Sequence, residues 1–212
     1  MNHVELTPEL ILQAYANGVF PMAESREDES LFWVDPKERG ILPLDGFHIS
    51  RSLARLIRQE RYRVTLNRDF AGVMEGCADR PETWINATIF DLYGELHDMG
   101  FGHSVELWEE DRLVGGTYGL ALGTAFFGES MFSRVPSASK IVLAYLVARL
   151  RLTGFTLFDT QFLTEHLASL GGIEISRADY RARLHKALEK RADLTALPAP
   201  LTPELVLSEC RR

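Results

Sequence analysis

The sequence predicts an α+β protein in which a small N-terminal domain precedes a larger domain built around a mixed sheet. Three candidate strands follow one another, at 104–108, 113–120 and 125–132. The residues between them favour tight turns, which predicts an antiparallel meander. Apolar residues at helical spacing over 138–152 then lead to another strand-like piece at 155–162. Such a crossover places the two strands that it joins side by side and parallel, so the sheet is mixed.

The N-terminal domain is predicted from one helix and one short strand. Thr7 and Pro8 begin the helix, and Gly18 ends it in an apolar turn that runs to Met22. A charged loop then leads to a strand at 31–34. This piece is too short to enclose a core, so it must pack against the rest of the chain. The predicted domains are residues 1–36 and 37–212.

Caps and apolar spacing predict the other elements of the larger domain. They are a helix capped by Ser50, a strand at 62–66, a helix at 70–77, a helix that stops at Gly100, and a short helix at 164–170. Ser176 and Asp179 form a capping box for a last helix that continues to about Lys190. The remaining tail is rich in proline, and we expect it to be loosely held.

Composition limits the classes of protein to consider. With 212 residues, 46% of them hydrophobic and 25% charged, the chain suits a soluble globular protein. No apolar run approaches the roughly 18 residues of a membrane span, and the start has no signal-peptide pattern, so we expect a cytoplasmic protein. Cys77 and Cys210 are far apart, which suits a reducing compartment. The histidines form no ligand-spaced cluster, so no metal site is expected.

Three polar residues in the strand-like pieces are candidates for chemistry. Asp159 and Gln161 lie in one apolar run and Glu129 in another. Because side chains alternate along a strand, Asp159 and Gln161 should project from the same side, and the crossover should bring Glu129 and Asp159 to a common cleft. Perturbed carboxylates cluster where chemistry is done. The alternative is that both carboxylates are buried structural groups with satisfied hydrogen bonds.

A cluster of arginines stands out because the whole chain has a net charge of −7. Six arginines lie between 51 and 68, opposed within that window only by Glu60. Arg51, Arg55 and Arg58 share one helical face. This face is either an ordinary solvated surface or a local phosphate-binding patch on a protein whose overall charge disfavours non-specific binding to nucleic acid.

The predicted order of elements is that of the acyl-CoA N-acyltransferase (GNAT) kind of fold. In that fold a glycine-rich turn before the crossover helix cradles a pyrophosphate. Here the corresponding turn, 133–138, contains no glycine and has a rigid proline. Close backbone approach to a diphosphate is therefore not provided for, and an ordinary acetyl-CoA enzyme is disfavoured.

Longer motifs make the comparison more specific. They are AYANGVFPM from 14, HISRSLAR from 48, GHSVE from 102, GESMFS from 128, FDTQF from 158 and HLASLGG from 166. Together and in this order they resemble the bacterial leucyl/phenylalanyl-tRNA–protein transferases over nearly the whole chain.

The resemblance implies an aminoacyltransferase with a small N-terminal domain on a GNAT-like catalytic domain. Its partners would be Leu-tRNA or Phe-tRNA and proteins with N-terminal Arg or Lys, which the reaction marks for degradation. No cofactor is implied, since the aminoacyl ester is already activated, and we expect a monomer with no membrane partner. The rival interpretations are a CoA-dependent N-acyltransferase and a non-catalytic module that binds basic N-termini.

The resemblance also implies roles for particular residues. Asp159 and Gln161 would be catalytic, with Gln161 positioning the acceptor amine, and Glu129 would bind the acceptor peptide. An apolar pocket for the donor side chain is expected from Tyr15, Met22, Trp84, Tyr93 and Phe126, each of which could equally be core. The arginine patch of Arg51, Arg55 and Arg58 would contact tRNA. Two departures from the family are Met22, where many members have Trp, and Thr160, which is expected to face away from the site.

Overall fold

The structure, a computed structural model, describes residues 6–28 and 30–210. Residues 1–5 of the predicted N-terminal domain, Glu29 of the charged loop and the last two residues of the tail lie outside the described residues. The helices are α1 Pro8–Ala16, α2 Arg51–Arg58, α3 Phe70–Ala78, α4 Ala87–Asp98, α5 Ala138–Leu152, α6 Glu165–Ala168, α7 Arg177–Leu188 and α8 Pro203–Glu209. The strands are β1 Phe20–Met22, β2 Phe32–Val34, β3 Glu38–Ile41, β4 Arg63–Leu66, β5 Gly102–Glu109, β6 Arg112–Leu122, β7 Ala125–Ser133, β8 Leu157–Gln161 and β9 Ile173–Ser176.

The predicted α+β class and the mixed sheet are confirmed. Within the described residues, seven strands form one sheet in the order β4-β5-β6-β7-β8-β3-β9. The meander β5-β6-β7 is antiparallel, and α5 crosses over to β8, which pairs with β7 in parallel. The N-caps predicted at Thr7, Ser50 and Ser176 are also present, each accepting a backbone N–H of its helix.

Three strands were not predicted. Residues 20–22, expected to be part of a turn, form β1, which pairs antiparallel with β2. β3 inserts between β8 and β9 and pairs antiparallel with both. β3 contains a glutamate, an arginine and a glycine within four residues, and most of β9 is exposed at the sheet edge. β3 lacks the apolar alternation that reveals a strand in a sequence, whereas β9 alternates but over only four residues.

The two faces of the sheet are covered by different helices. One core cluster contains apolar residues of α2, α5 and α8, and the other contains those of α1, α3, α4 and α7. Neighbouring residues of β7 enter opposite clusters, with Phe126 in the first and Phe127 in the second, as strand alternation requires. The second cluster includes Ile11, Tyr15 and Phe20, so the N-terminal elements pack on the sheet, as their length predicts.

The tail is not loosely held, and that prediction is wrong. Thr202 caps α8, whose Val206 and Leu207 are buried against α5. The buried guanidinium of Arg149 donates to the carbonyl oxygens of Leu194, Leu197 and Pro198. Thr-Pro-Glu at 202–204 repeats the helix start at 7–9, so the sequence carried a signal for this helix. None of the described helices is long and apolar enough to cross a membrane.

Candidate active site

A cavity opens where two central strands stop pairing. The parallel pairing of β7 with β8 ends at Phe127 and Asp159. In β7 the register towards β6 shifts at the same place, since Gly119 pairs with Gly128 and Tyr118 with Ser130, which leaves Glu129 as an extra residue. Such a bulge redirects the side chain that it carries. Residues of both strands line the cavity beyond this point, which has a volume of about 440 Å³.

The cavity has an apolar wall and a polar end. Its apolar side chains are Met22, Trp84, Met131, Leu143, Phe158, Phe162 and Leu167. Its polar side chains are Arg80, Thr117, Glu129, Ser130, Thr160, Gln161, Thr164 and His166. Sites for small organic groups commonly combine an apolar surface with polar groups that fix orientation, and they have volumes of roughly 300–1,000 Å³. The residues from both strands and from the N-terminal segment therefore converge on a ligand-sized space.

Glu129 is the centre of the polar end and is buried. Its Oε1 accepts hydrogen bonds from the hydroxyl of Tyr15 at 2.6 Å and from Nε2 of Gln161 at 3.0 Å. Its Oε2 accepts from the hydroxyl of Tyr93 at 3.2 Å. The two tyrosine oxygens are themselves 2.6 Å apart. The Glu129 carboxyl group and the two tyrosine hydroxyls make three O···O contacts, but the hydroxyls supply only two hydrogens. A proton on Glu129 is therefore needed for every contact to be a hydrogen bond.

The surroundings of Glu129 favour the same proton. Burial raises its pKa to about 7 from an ordinary value of 4.5, and the hydrogen bonds from Tyr15, Gln161 and Tyr93 offset only part of this effect. The pKa values of the Tyr15 and Tyr93 hydroxyls lie well above the usual value, first because of burial and then because of the Glu129 charge. At neutral pH the carboxyl group is therefore poised between its two states, while both phenols remain protonated.

Asp159 is fully buried beside the cavity and does not line it. Its two oxygens accept from Nε and Nη2 of Arg39 at 2.9 and 2.6 Å, and Oδ2 also accepts from the Tyr180 hydroxyl at 2.7 Å. The prediction that Asp159 shares a cleft with Glu129 is therefore wrong. A carboxylate with a bidentate guanidinium partner is held in a fixed position and orientation.

Gln161 ends β8 in an irregular conformation. Its φ is +64°, in the left-handed region, and its backbone N–H donates to Oδ1 of Asp159 at 2.8 Å. This turn of the backbone brings the Gln161 side chain to Glu129 in the cavity, while Asp159 stays outside the lining. Thr160 lines the cavity instead of facing away from it.

The remaining predicted site residues fall into three groups. Met22 and Trp84 line the cavity, as the donor-pocket prediction requires of its members. Tyr15 and Tyr93 lie behind Glu129 and hold its carboxyl group, and Phe126 lies in the core, where its ring makes an edge contact with Phe158. The arginine patch is exposed on α2, which packs against α5 and α8.

Several residues of the site were missed. Arg39 and Tyr180 hold Asp159, while Arg80 and His166 line the cavity, where His166 Nε2 lies 3.2 Å from the Ser139 hydroxyl. Burial lowers the pKa of His166. The sequence signal for Arg39 is its place directly before Gly40 and the apolar pair Ile41 and Leu42. A charge that is buried with such residues needs a buried partner. No group of three or more metal-ligating side chains occurs in the described ranges 6–28 and 30–210.

Comparison with known proteins agrees with these features. Residues 41–185 match the family model described as leucyl/phenylalanyl-tRNA protein transferase, and residues 4–37 match the N-terminal domain of that family. The leucyl/phenylalanyl-tRNA–protein transferase of Ruegeria sp. strain TM1040 is 66% identical over 92% of this chain and 94% of its own length. That of Dinoroseobacter shibae is 60% identical over 93% of this chain and 89% of its own length.

A solved structure shares the fold. FemX superposes with a TM-score of 0.54 at 12% identity, covering 79% of this chain and 66% of that chain. At this identity the likeness concerns the fold alone, which is the GNAT-like class predicted from the order of strands and helices. The family match covers most of the chain, and the relatives align over nearly their full length. The chain belongs to the leucyl/phenylalanyl-tRNA–protein transferase family, aminoacyltransferases that move an aminoacyl group from tRNA to a protein.

Proposed function

We propose that this enzyme transfers Leu or Phe from its tRNA to the α-amine of proteins that begin with Arg or Lys. The observation that carries the proposal is the pairing of Glu129 with Gln161 at the polar end of a cavity with an apolar wall. The product is a protein with a new N-terminal Leu or Phe, which serves as a degradation signal. We further propose that the enzyme acts as a monomer in the cytoplasm.

The apolar wall suits the donor side chain. Met131, Leu143, Phe158 and Leu167 offer aliphatic and aromatic surface of the kind that Leu and Phe bury. Burial of such a side chain contributes on the order of 1.5–3 kcal/mol. Met22 and Trp84 form another part of the lining, contributed by β1 and the segment before α4, and they complete the pocket. The donor is thus selected mainly by its amino acid.

The polar end suits the acceptor amine. Nε2 of Gln161 donates to Glu129, so the Gln161 amide oxygen is the end left to accept a hydrogen bond from the amine. A neutral amide oxygen is a very weak base, and its role is to hold the amine at attacking distance. The amine nitrogen bonds to the ester carbonyl carbon and the bond from that carbon to the ribose oxygen breaks. The proton lost by the amine passes to the ribose oxygen.

Glu129 suits selection of a basic first residue. Its Oε2 accepts one hydrogen bond from protein, of 3.2 Å, so it can accept another from an incoming cation. A guanidinium or ammonium group nearby favours the ionised carboxylate, whose burial is otherwise costly. An Arg or Lys side chain therefore binds with loss of the carboxyl proton, whereas a neutral side chain provides nothing to offset the charge.

The tRNA approaches through the exposed arginines of α2. Arg51, Arg55 and Arg58 are suited to phosphate contacts, which position a nucleic acid without reading its sequence. A diphosphate cofactor is disfavoured at the start of α5, because the backbone N–H of Ser139 already donates to the Ser133 hydroxyl. This supports transfer from tRNA over transfer from CoA.

The test is transfer of labelled Leu or Phe from charged tRNA to a peptide beginning with Arg, in the absence of CoA. The same peptide with an acetylated α-amine and a peptide beginning with Ala serve as controls. We expect product only with the free Arg peptide. Product that requires CoA would support the acyltransferase alternative, and binding of the Arg peptide without any product would support the non-catalytic module. Equal product with the acetylated peptide would refute transfer to the α-amine.

A further inference from the structure

Arg39 connects the N-terminal segment to the end of β8. It is 1% exposed, and its guanidinium forms a two-point hydrogen bond with Asp159. Its Nη1 donates to the carbonyl oxygen of Gly18 at 2.9 Å. The guanidinium carbon lies 4.6 Å from the ring centre of Phe20 and 4.4 Å from that of Tyr180. The position and the rotation of the guanidinium plane are therefore both fixed.

The fixed guanidinium determines where the Asp159 carboxylate lies. Oδ1 of Asp159 accepts from Arg39 Nε and also from the backbone N–H of Gln161. That second bond holds Gln161 in the left-handed region, which is unfavourable for a residue other than glycine. A strained conformation persists only where its surroundings determine it. Gly40 leaves room for the backbone that follows Gln161, because a Cβ at position 40 would lie 2.6 Å from the backbone of Phe162.

We propose that Arg39 is a positioning residue for the transfer reaction, which acts through the Asp159 carboxylate on the backbone of Gln161. Its guanidinium orients the carboxylate, the carboxylate anchors the Gln161 N–H, and the resulting turn directs the Gln161 amide into the cavity beside Glu129. The inference rests on the proposed function, in which that amide holds the acceptor amine. It adds that the N-terminal segment, through Gly18 and Phe20, takes part in placing the group.

The test uses Arg39→Lys, which keeps the charge but not the two-point geometry. We expect the single-turnover rate of transfer to the Arg peptide to fall at least about ten-fold, since a displaced amide no longer holds the amine at attacking distance. The Kd values for tRNA and peptide should change less than about three-fold, because the cavity wall and the arginine patch are untouched. In an Asp159→Asn background, Arg39→Lys should lower the rate further by less than about two-fold, since both residues act through one contact.

The matched control is Arg149→Lys. Arg149 is also a buried arginine, but it binds tail carbonyl oxygens on the other side of the sheet. A loss of stability alone would lower the rate in both variants in proportion to the fall in Tm. A rate that is unchanged in Arg39→Lys, or that falls equally in Arg149→Lys at equal Tm, would overturn the proposal.

A second measurement is independent of activity. Hydrogen exchange of the backbone N–H of Gln161 should become faster in Arg39→Lys and stay slow in Arg149→Lys, because only the first variant releases Asp159. If Arg39→Lys does not fold, Tyr180→Phe replaces it, because this variant keeps the ring over Arg39 and removes one donor to Asp159. The backbone N–H of Gln161 should also exchange faster in Tyr180→Phe. Unchanged exchange in the folded variant would overturn the positioning role. Faster exchange in Arg39→Lys, together with a wild-type protein that transfers nothing, would leave the positioning role standing and refute the proposed function.

Discussion

Glu129→Gln should change how the stability of the protein depends on pH. The carboxyl group has a pKa raised by burial to about 7, against an ordinary value of 4.5 in the unfolded chain. Between these values the folded protein holds a proton at this site that the unfolded chain has released. The contribution of the site to stability is therefore complete below about pH 4.5 and is lost as the pH rises through about 7. Gln resembles the protonated carboxyl group and carries no such loss.

The size of the effect follows from the two pKa values. Their difference corresponds to about 3 kcal/mol, since a tenfold change in a proton equilibrium is worth about 1.36 kcal/mol. The variant should thus gain about 3 kcal/mol relative to the wild type between about pH 4 and about pH 8. Other titrating groups affect both proteins alike, so the difference between the two unfolding free energies isolates Glu129.

The assay is urea unfolding of the two proteins at a series of pH values, with the difference in unfolding free energy plotted against pH. Tyr15→Phe gives a directional check. The hydrogen bond from Tyr15 lowers the pKa of Glu129, so its removal should move the loss of stability to higher pH. A free-energy difference between wild type and Glu129→Gln that does not vary with pH would refute the reasoning. It would mean that Glu129 titrates in the folded protein as it does in the unfolded chain, so that at neutral pH no proton is left for the contact between Tyr15 and Tyr93.

Three further predictions concern the reaction. Asp159→Ala or Gln161→Ala should lower turnover at least about ten-fold with tRNA and peptide affinity largely kept, and wild-type single-turnover rates would disprove the assignment. Glu129→Gln should weaken binding of Arg- and Lys-initiated peptides about ten-fold or more, measured against a peptide with a neutral first residue whose binding stays unchanged. The double variant Arg51→Glu and Arg55→Glu should lower the rate of transfer from Leu-tRNA and Phe-tRNA alike and flatten its salt dependence. The rate of transfer from aminoacyl-adenosine should stay the same, and an equal fall with this small donor would assign the patch a structural role.

The elements predicted from sequence are those that carry their own local signal. The apolar spacing of 138–152 and the caps at Thr7 and Ser176 are complete within one segment, and each predicted element is present. β3 and β9 depend on partners far along the chain, since β3 pairs with β8 over one hundred residues later. A strand of this kind is defined by the neighbours that satisfy its backbone, and a local pattern does not contain them.

The sequence identified buried carboxylates but not their roles. Glu106 of β5 also lies in an apolar strand and is fully buried. Its oxygens accept from the hydroxyls of Ser104 and Thr65 and from backbone N–H groups of the loop that leads into α3. These donors anchor the loop, whereas Glu129 opens to a cavity. The distinction depends on where the donors come from, which a single strand does not reveal.

Gln161 lines the cavity and Asp159 does not, and the physical reason for this difference also explains why a site exists here. Alternation predicts faces correctly only while a strand is regular. Two irregularities interrupt it at the same level of the sheet, the bulge at Glu129 in β7 and the left-handed residue Gln161 that ends β8. The side chains of these two residues meet at 3.0 Å where the strands no longer pair. Asp159, one step before the break, keeps its strand position and becomes the anchor that holds the second irregularity in place.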